Sequence, residues 1–241
     1  MRISSWLLAA ALALPAADAL ADKADSARSP SGFGSKGYDW YRMTPERVAI
    51  GALAGDAARG REAFRGCRGC HKADGEGLVD GTYPRLTGQH ASVIVKQVTD
   101  VRAGIRVNPK MEPFASAHAM SHQEIADIAV FLAGAETAKE NGKGPDGDAA
   151  AGRALYERLM CGTCHGLRGE GDRANAYPAL AAQHYGYLLA EMRHIREGTR
   201  GNSHPEMVRS VRNLSRTQLE QISNYLSRLP DHRVPPTGGR P

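Results

Sequence analysis

The sequence predicts an all-α protein built from two tandem domains of similar size. Two observations lead to this expectation: the second half repeats the first at a shift of 94 residues, and apolar residues recur at helical spacing in both halves. No run of alternating apolar and polar residues is long enough for a sheet. Because domains of roughly 90 residues have thin cores, each is expected to fold around additional apolar material.

Each repeat is expected to contain three main helices. The first leads into a pair of cysteines, and the second carries apolar residues such as Val93 and Ile94 at helical spacing. The third opens with a capping box, Ser121-x-x-Glu124 or Ser215-x-x-Gln218. The predicted helices are residues 58–65, 91–103 and from 121 onward in the first repeat, and residues 149–160, 185–196 and from 215 onward in the second.

The N-terminus has the pattern of an export signal. Arg2 precedes a short apolar run at residues 6–14, and residues 17–19 and 19–21 both form small-x-small cleavage sites. The run is far shorter than the roughly 20 residues of a spanning helix, so we predict export to the periplasm. The alternative is a retained anchor with peripheral membrane association. The predicted organisation is a signal peptide 1–21, an N-terminal extension 22–54, a first domain 55–135, a linker 136–146, a second domain 147–229 and a tail 230–241.

Three of these segments lie outside the repeat. The linker is rich in Gly, Lys, Glu and Asn and is predicted to be solvated, and the Pro- and Gly-rich tail is predicted to be flexible. The extension brings Tyr38, Trp40 and Tyr41 close together in sequence. We expect these three aromatic side chains to pack on the first domain.

The strongest functional signal is a five-residue motif that occurs once in each repeat, at residues 67–71 and 161–165. Its Cys-x-x-Cys-His spacing is typical of covalent haem attachment: two thiols one helical turn apart add to the porphyrin vinyl groups, and the histidine ligates the iron. Two haem c groups are therefore predicted. The predicted attachment residues are Cys67, Cys70, Cys161 and Cys164, and the predicted proximal iron ligands are His71 and His165.

Other uses of paired cysteines fit less well. An exported chain with four cysteines would ordinarily suggest two disulfides, and a lone Cys-x-x-Cys could bind zinc or act in thioredoxin-like redox chemistry. Here each pair is followed by histidine and lies in its own repeat, and the chain has no other cysteine. This combination favours haem over each alternative.

The sixth iron ligand is predicted to be a methionine in the loop before the last helix of each repeat. The candidates are Met111 and Met207, which the repeat does not align because the loop is offset by two residues. Methionine ligation raises the potential and closes the iron to small molecules. Met120, His118 and His204 remain as rivals, with Met120 favoured as a core residue.

Several repeated residues are predicted to surround the haems. A backbone carbonyl near each proline could accept a hydrogen bond from the proximal histidine, the tyrosines could contact a haem edge or propionate, and the arginines could pair with propionates. Plain turn and surface roles stay open for all of them. His90 and His184 are interpreted as helix caps. The predicted surrounding residues are Tyr83, Pro84, Arg106, Tyr177, Pro178 and Arg200.

The net charge of +5 does not indicate nucleic acid as a partner. No dense run of Lys and Arg is interleaved with aromatic residues. An exported protein would also be in a different compartment from the nucleic acid of the cell. Haem propionates would offset the charge. We expect the basic side chains to face those propionates and acidic surfaces of redox partners.

Residues 83–90, 104–108 and 111–113 together resemble the dihaem cytochromes c4, over about residues 55 to 229. The second repeat follows the pattern more loosely, with Ala182 where that family usually has glycine. The resemblance implies two class I cytochrome c domains with His/Met ligation and haem propionate edges close together. It also implies periplasmic electron transfer, from a cytochrome bc complex or a dehydrogenase towards a terminal oxidase or reductase.

Two other functions are weighed against a free electron carrier. A dihaem enzyme, such as a peroxidase or a thiosulfate-oxidising dehydrogenase, would need an open or unusually ligated iron. An obligate redox subunit would have the same haems as a carrier and would co-purify with a larger complex. Two plausible methionine ligands and the absence of a fifth cysteine favour the carrier, which is not expected to be an enzyme.

Overall fold

The computed structural model describes residues 37–136, 140–147 and 149–231. The predicted signal peptide, residues 22–36 of the N-terminal extension and nearly all of the tail lie outside these residues. All described residues belong to one compact unit.

Within the described ranges the chain is helical, with one isolated antiparallel bridge between Asp172 and Tyr177. The predicted all-α class is confirmed. A short 3-10 helix at Phe64–Cys67 follows the second α-helix. The α-helices are α1 Pro45–Gly51, α2 Ala57–Ala63, α3 Arg68–His71, α4 Ala91–Arg102, α5 Glu112–Ala115, α6 His122–Gly134, α7 Ala149–Arg158, α8 Gly162–His165, α9 Tyr185–Glu197, α10 Pro205–Val211 and α11 Arg216–Arg228.

Each domain is built on a close crossing between its first and last helices, α2 with α6 and α7 with α11. A glycine makes this contact possible in both domains. A Cβ atom at Gly60 would overlap with the carbonyl oxygen of Asp127, and one at Gly152 would overlap with that of Gln221. The backbones therefore touch where any larger residue would separate the helices.

Both crossings continue into matched aromatic pairs at the domain cores. The rings of Phe64 and Phe131 lie 5.7 Å apart in the first domain, and those of Tyr156 and Tyr225 lie 5.6 Å apart in the second. Both predicted capping boxes form, at the starts of α6 and α11. Sequence patterns thus placed the helices of the two cores correctly to within a few residues.

Two helices, α1 and α10, lie outside the plan shared by the two domains and were not predicted from the sequence. α1 begins after Thr44, whose side chain accepts a hydrogen bond from the amide of Arg47. Its residue Ile50 is only 2% exposed and joins the first domain's core. α10 likewise lies in the predicted methionine loop of the second domain. Both helices have seven residues, which is too short for a periodic apolar pattern.

The linker differs from the solvated segment expected from its composition. The side-chain amide of Asn141 donates hydrogen bonds to the backbone carbonyl oxygens of Gln183, at 3.2 Å, and Ser227, at 2.7 Å. The backbone N–H of Gly142 donates to Nδ1 of His184 at 2.9 Å. Residues 140–147 are therefore docked on the second domain, because their backbone groups find partners there.

No helix of the described chain has the length and apolar character needed to cross a lipid bilayer.

Candidate functional site: two haem sites and the seam between them

The first attachment site lies on one continuous helical turn. The 3-10 helix ends at Cys67, and α3 then carries Cys70 and His71 at its end. The His71 side chain lies against the ring of Tyr83, with ring centres 6.0 Å apart. Because His71 is only 9% exposed, burial lowers its pKa and keeps the imidazole neutral, as iron coordination requires.

The second site repeats this arrangement on α8, with His165 again at the helix end. Nδ1–H of His165 donates a hydrogen bond to the carbonyl oxygen of Pro178 at 3.0 Å. The bond fixes the ring tautomer and leaves the other nitrogen available to a metal. The ring of Tyr177 lies 6.4 Å away, and burial lowers the pKa of His165.

The two proximal histidines differ in this supporting bond. Within the described chain, Nδ1 of His71 has no hydrogen-bond partner. Burial lowers the pKa of His71, and the nearby backbone of Pro84 raises it by a smaller amount. The contact predicted at both prolines thus has hydrogen-bond geometry only at Pro178.

The cysteine side chains of both sites are half-buried and are not joined in disulfides. Burial raises the pKa of Cys67 and of Cys161 to about 11, with a smaller contribution from the second cysteine of each pair. Thioredoxin-like chemistry depends on a thiol with a lowered pKa, so these cysteines do not suit it. A thiol pair followed by a neutral histidine, buried at His71 and half-buried at His165, fits a covalently attached haem.

A small cavity of about 70 Å³ lies beside Cys67, between the attachment turn and the start of α6. Phe114, Met120 and Ile128 contribute apolar walls. Met120 is 8% exposed and also belongs to the first domain's core. The predicted ligand Met111 is half-buried at the N-terminus of α5 and is not among the residues that line this cavity.

In the second domain, Met207 lies on α10 and packs against the core. Its rival His204 is the residue before α10, and its Nδ1 accepts a hydrogen bond from the amide of Glu206. His118, the rival in the first domain, is exposed. The assignment of Met111 and Met207 as iron ligands remains a prediction.

The predicted propionate partners Arg106 and Arg200 come together at the interface between the two domains, which we call the seam. Both form ion pairs with the carboxylate of Glu191 on α9. Both also donate to the side-chain oxygen of Gln97 on α4, at 2.9 Å and 3.2 Å. Burial alone would raise the pKa of Glu191, but Arg200 and Arg106 hold it below its usual value.

A second part of the seam consists of two sets of hydrogen bonds, one from each domain, that are related to each other by an approximate two-fold axis. The side-chain amide of Gln89 exchanges two hydrogen bonds of 3.0 Å with the backbone of Ala179. That of Gln183 exchanges two of 2.8 Å with the backbone of Arg85. These four positions correspond under the 94-residue repeat, so each domain contributes the same residues to the other.

The adjacent histidines extend this exchange and correct an expectation. Nε2–H of His90 donates to the carbonyl oxygen of Glu170 at 2.9 Å, and that of His184 donates to the carbonyl oxygen of Glu76 at 2.7 Å. Both residues precede helices, but neither side chain caps its helix. The interpretation as caps is wrong because the side chains cross the seam; their recurrence in both repeats was visible, but their partners were not.

Comparison with known proteins agrees with this geometry. A family model described as cytochrome c matches residues 57–136 and 149–230. A cytochrome c4 of Azotobacter vinelandii is 30% identical over 76% of this chain and 93% of its own length. A thiosulfate dehydrogenase electron acceptor of Stutzerimonas stutzeri is 32% identical over 69% of this chain and 80% of its own length.

A solved structure shows the same architecture. The reduced recombinant cytochrome c4 of Pseudomonas stutzeri superimposes with a TM-score of 0.65 and 26% identity, covering 73% of this chain and all of that one. The duplicated helices, the two attachment motifs and these matches lead to one conclusion. The chain belongs to the dihaem cytochrome c4 family, with two cytochrome c domains that each bind a haem c covalently.

Proposed function

We propose that this electron-transfer protein works in the periplasm as a soluble carrier. In this role it takes electrons from a quinol-oxidising complex or a dehydrogenase and delivers them to a terminal oxidase or reductase. Relatives named cytochrome c4 support the carrier role, and the predicted export signal supports the location. The relative named as the electron acceptor of a thiosulfate dehydrogenase makes a dehydrogenase a reasonable donor.

The observation that carries the proposal is that the hydrogen bonds between the two domains come from the loops beside the two haem sites. Glu76 and Arg85 lie in the loop that follows the first attachment helix, and Glu170 and Ala179 lie in the corresponding loop of the second domain. All four supply backbone groups to hydrogen bonds across the seam. The loops beside the two haem sites therefore meet, which favours electron exchange within the chain.

Haem bound at each site supplies a one-electron couple between ferric and ferrous iron. The chain is proposed to hold it through paired thioethers, to coordinate it through His71 and His165, and to limit water around both rings by burial. The Pro178 carbonyl holds the second ring in one tautomer. None of these functions asks a side chain to act as a general acid or base.

The first test is the near-infrared spectrum of the oxidised holoprotein, normalised to its haem content. Ferric haem ligated by a methionine sulfur gives a weak charge-transfer band, and we expect two methionine-ligated haems per chain. Met207→Ala should remove half of this signal. Met111→Ala and Met120→Ala should be measured together, because Met120 rather than Met111 lines the cavity beside Cys67.

The results separate the candidate functions. Loss of half of the band in Met111→Ala with an unchanged band in Met120→Ala would establish the predicted ligand; the reverse would assign Met120. A wild-type band corresponding to one haem or none would contradict a carrier with two closed irons. It would favour a dihaem enzyme with an accessible iron.

The donor and the mode of association need a separate measurement. Reduction of the oxidised holoprotein should be followed with a membrane quinol-oxidising complex and, separately, with a periplasmic dehydrogenase and its substrate. A free carrier should be reduced at a rate that rises with its concentration. Stable co-purification with either complex would instead identify an obligate redox subunit.

A further inference from the structure

The N-terminal segment of residues 37–51 lies outside the duplicated domains yet contacts both of them. Its helix α1 is anchored in the first domain by Ile50 and by Arg47, which pairs with the buried carboxylate of Asp100. Nε of Arg47 also donates to the Thr99 hydroxyl at 3.0 Å. The expectation that this segment packs on the first domain is therefore only half of what the structure shows.

Trp40 carries the segment across the seam. Its ring stacks on Tyr177 of the second domain, with centres 5.9 Å apart and planes inclined by 29°. Its Nε1–H donates a 2.9 Å hydrogen bond to the carbonyl oxygen of Asn175. Nζ of Lys96 on α4 also lies 3.9 Å from the centre of the Trp40 ring. Trp40 is 9% exposed, so a large aromatic side chain is buried between the two domains.

The neighbouring aromatic residues complete the contact. Tyr38 donates a 2.8 Å hydrogen bond to Asp100 of the first domain. Tyr41 shares a short hydrogen bond between hydroxyl groups with Tyr177, and its ring meets the edge of His204 at 5.6 Å. The segment thus covers Tyr177, whose own ring lies beside His165.

The first domain offers an internal comparison. Tyr83 occupies the position that corresponds to Tyr177 and has the same neighbour, the proximal histidine. Among the described residues its other ring contact is Nζ of Lys110, at 6.0 Å. In the part of the chain that the structure describes, no aromatic cover like that over Tyr177 lies over Tyr83.

We propose that residues 37–51 form an interdomain clamp in which Trp40 is a positioning residue for the second haem site. Acting through Tyr177, Trp40 excludes water from the side of His165 and holds the second domain against the first. A drier surrounding disfavours the more highly charged oxidised iron, which raises the reduction potential of that haem. The clamp therefore makes two duplicated sites unequal.

The test uses the full holoprotein with Trp40→Ala, and with Met43→Ala as the matched control. Met43 lies in the same segment but is 63% exposed. Hydrogen exchange followed by mass spectrometry should show faster exchange in the second domain at 172–178 and 200–207. The corresponding first-domain segments, 78–84 and 106–113, should exchange as in the wild type.

Spectroelectrochemical titration supplies the functional readout. In Trp40→Ala one of the two haem potentials should fall while the other stays at its wild-type value, and Met43→Ala should change neither. Trp40→Phe keeps the stacking but loses the bond to Asn175, so it should restore most of the potential. If Trp40→Ala folds poorly, Trp40→Leu takes its place in the test. It keeps apolar volume but loses the stack on Tyr177, so the same haem potential should fall.

Equal acceleration of exchange in both domains, or a parallel shift of both potentials, would mean that Trp40 contributes only general stability. Unchanged exchange and unchanged potentials would overturn the clamp altogether. Neither result would alter the proposed carrier function, which depends on the ligation of the two irons.

Discussion

The two domains share a helical plan and an attachment motif, but their surroundings differ. The second domain receives the linker, the aromatic cover of Trp40 and a hydrogen bond that orients His165. The first domain has α1 added to its core and a buried carboxylate at Asp127. The helix crossings and the haem-attachment motifs are therefore common to the two domains, while the groups that surround each site differ.

The largest expected effect is the loss of stability when the helix crossing shared by the two domains is disturbed. This loss should be equal in the two domains. Gly60→Ala and Gly152→Ala each place a methyl group against the backbone of the partner helix. Overpacking of this kind costs about 3 kcal/mol. Urea unfolding of each holoprotein variant, followed by the helical circular dichroism signal, measures the loss.

Gly134→Ala is a suitable control because a methyl group there, at the end of α6, meets nothing within 4 Å. If only one of the two variants, Gly60→Ala or Gly152→Ala, loses stability, the two helix crossings are not structurally equivalent.

Acid should distinguish the domains by a smaller amount. The Arg59 side chain, with the backbone N–H of Asp56 and the amide of Gln123, lowers the pKa of Asp127 to about 2. The corresponding residue of the second domain is Gln221. Because the unfolded pKa is near 3.9, this stabilisation is complete above about pH 5 and is lost as the pH falls towards 2.

Asp127→Asn should therefore reduce the free energy of unfolding by about 1–2 kcal/mol at pH 7 and by much less at pH 2.5. Chemical denaturation at both pH values measures the difference. The control Gln221→Asn should show an effect that does not depend on pH. A constant loss in Asp127→Asn across this range would show that packing, rather than charge, makes the contribution.

The smallest effect concerns a strained position in the second domain. Ala182 adopts a left-handed backbone with φ of 53°, where the first repeat has Gly88 with φ of 71°. Ala182→Gly should relieve strain and, after the entropy of the unfolded chain is considered, stabilise the protein by about 0.5 kcal/mol. Gly88→Ala should destabilise it by about 1 kcal/mol, and thermal unfolding of the pair measures both changes.

If both substitutions destabilise the protein, the left-handed turn is not the cause of the difference at this position. Stabilisation by Ala182→Gly alone would show that the second repeat tolerates a suboptimal residue there.

The features that depend on neighbouring residues could be predicted from the sequence. The helices of both repeats, the capping boxes and the two haem-attachment motifs are local patterns, since spacing along one chain fixes which side chains share a turn. The 94-residue repeat also indicated two equivalent domains. The short helices α1 and α10 were missed because seven residues carry too little periodicity.

Tertiary structure alone decided which distant groups meet. The histidines interpreted as caps cross the seam, the linker docks on the second domain, and Met120 rather than Met111 lines the first cavity. Trp40 contacts residues more than a hundred positions away. Such contacts arise because buried polar groups must find hydrogen-bond partners and apolar surfaces must be covered, and no local spacing records which partner the fold will supply.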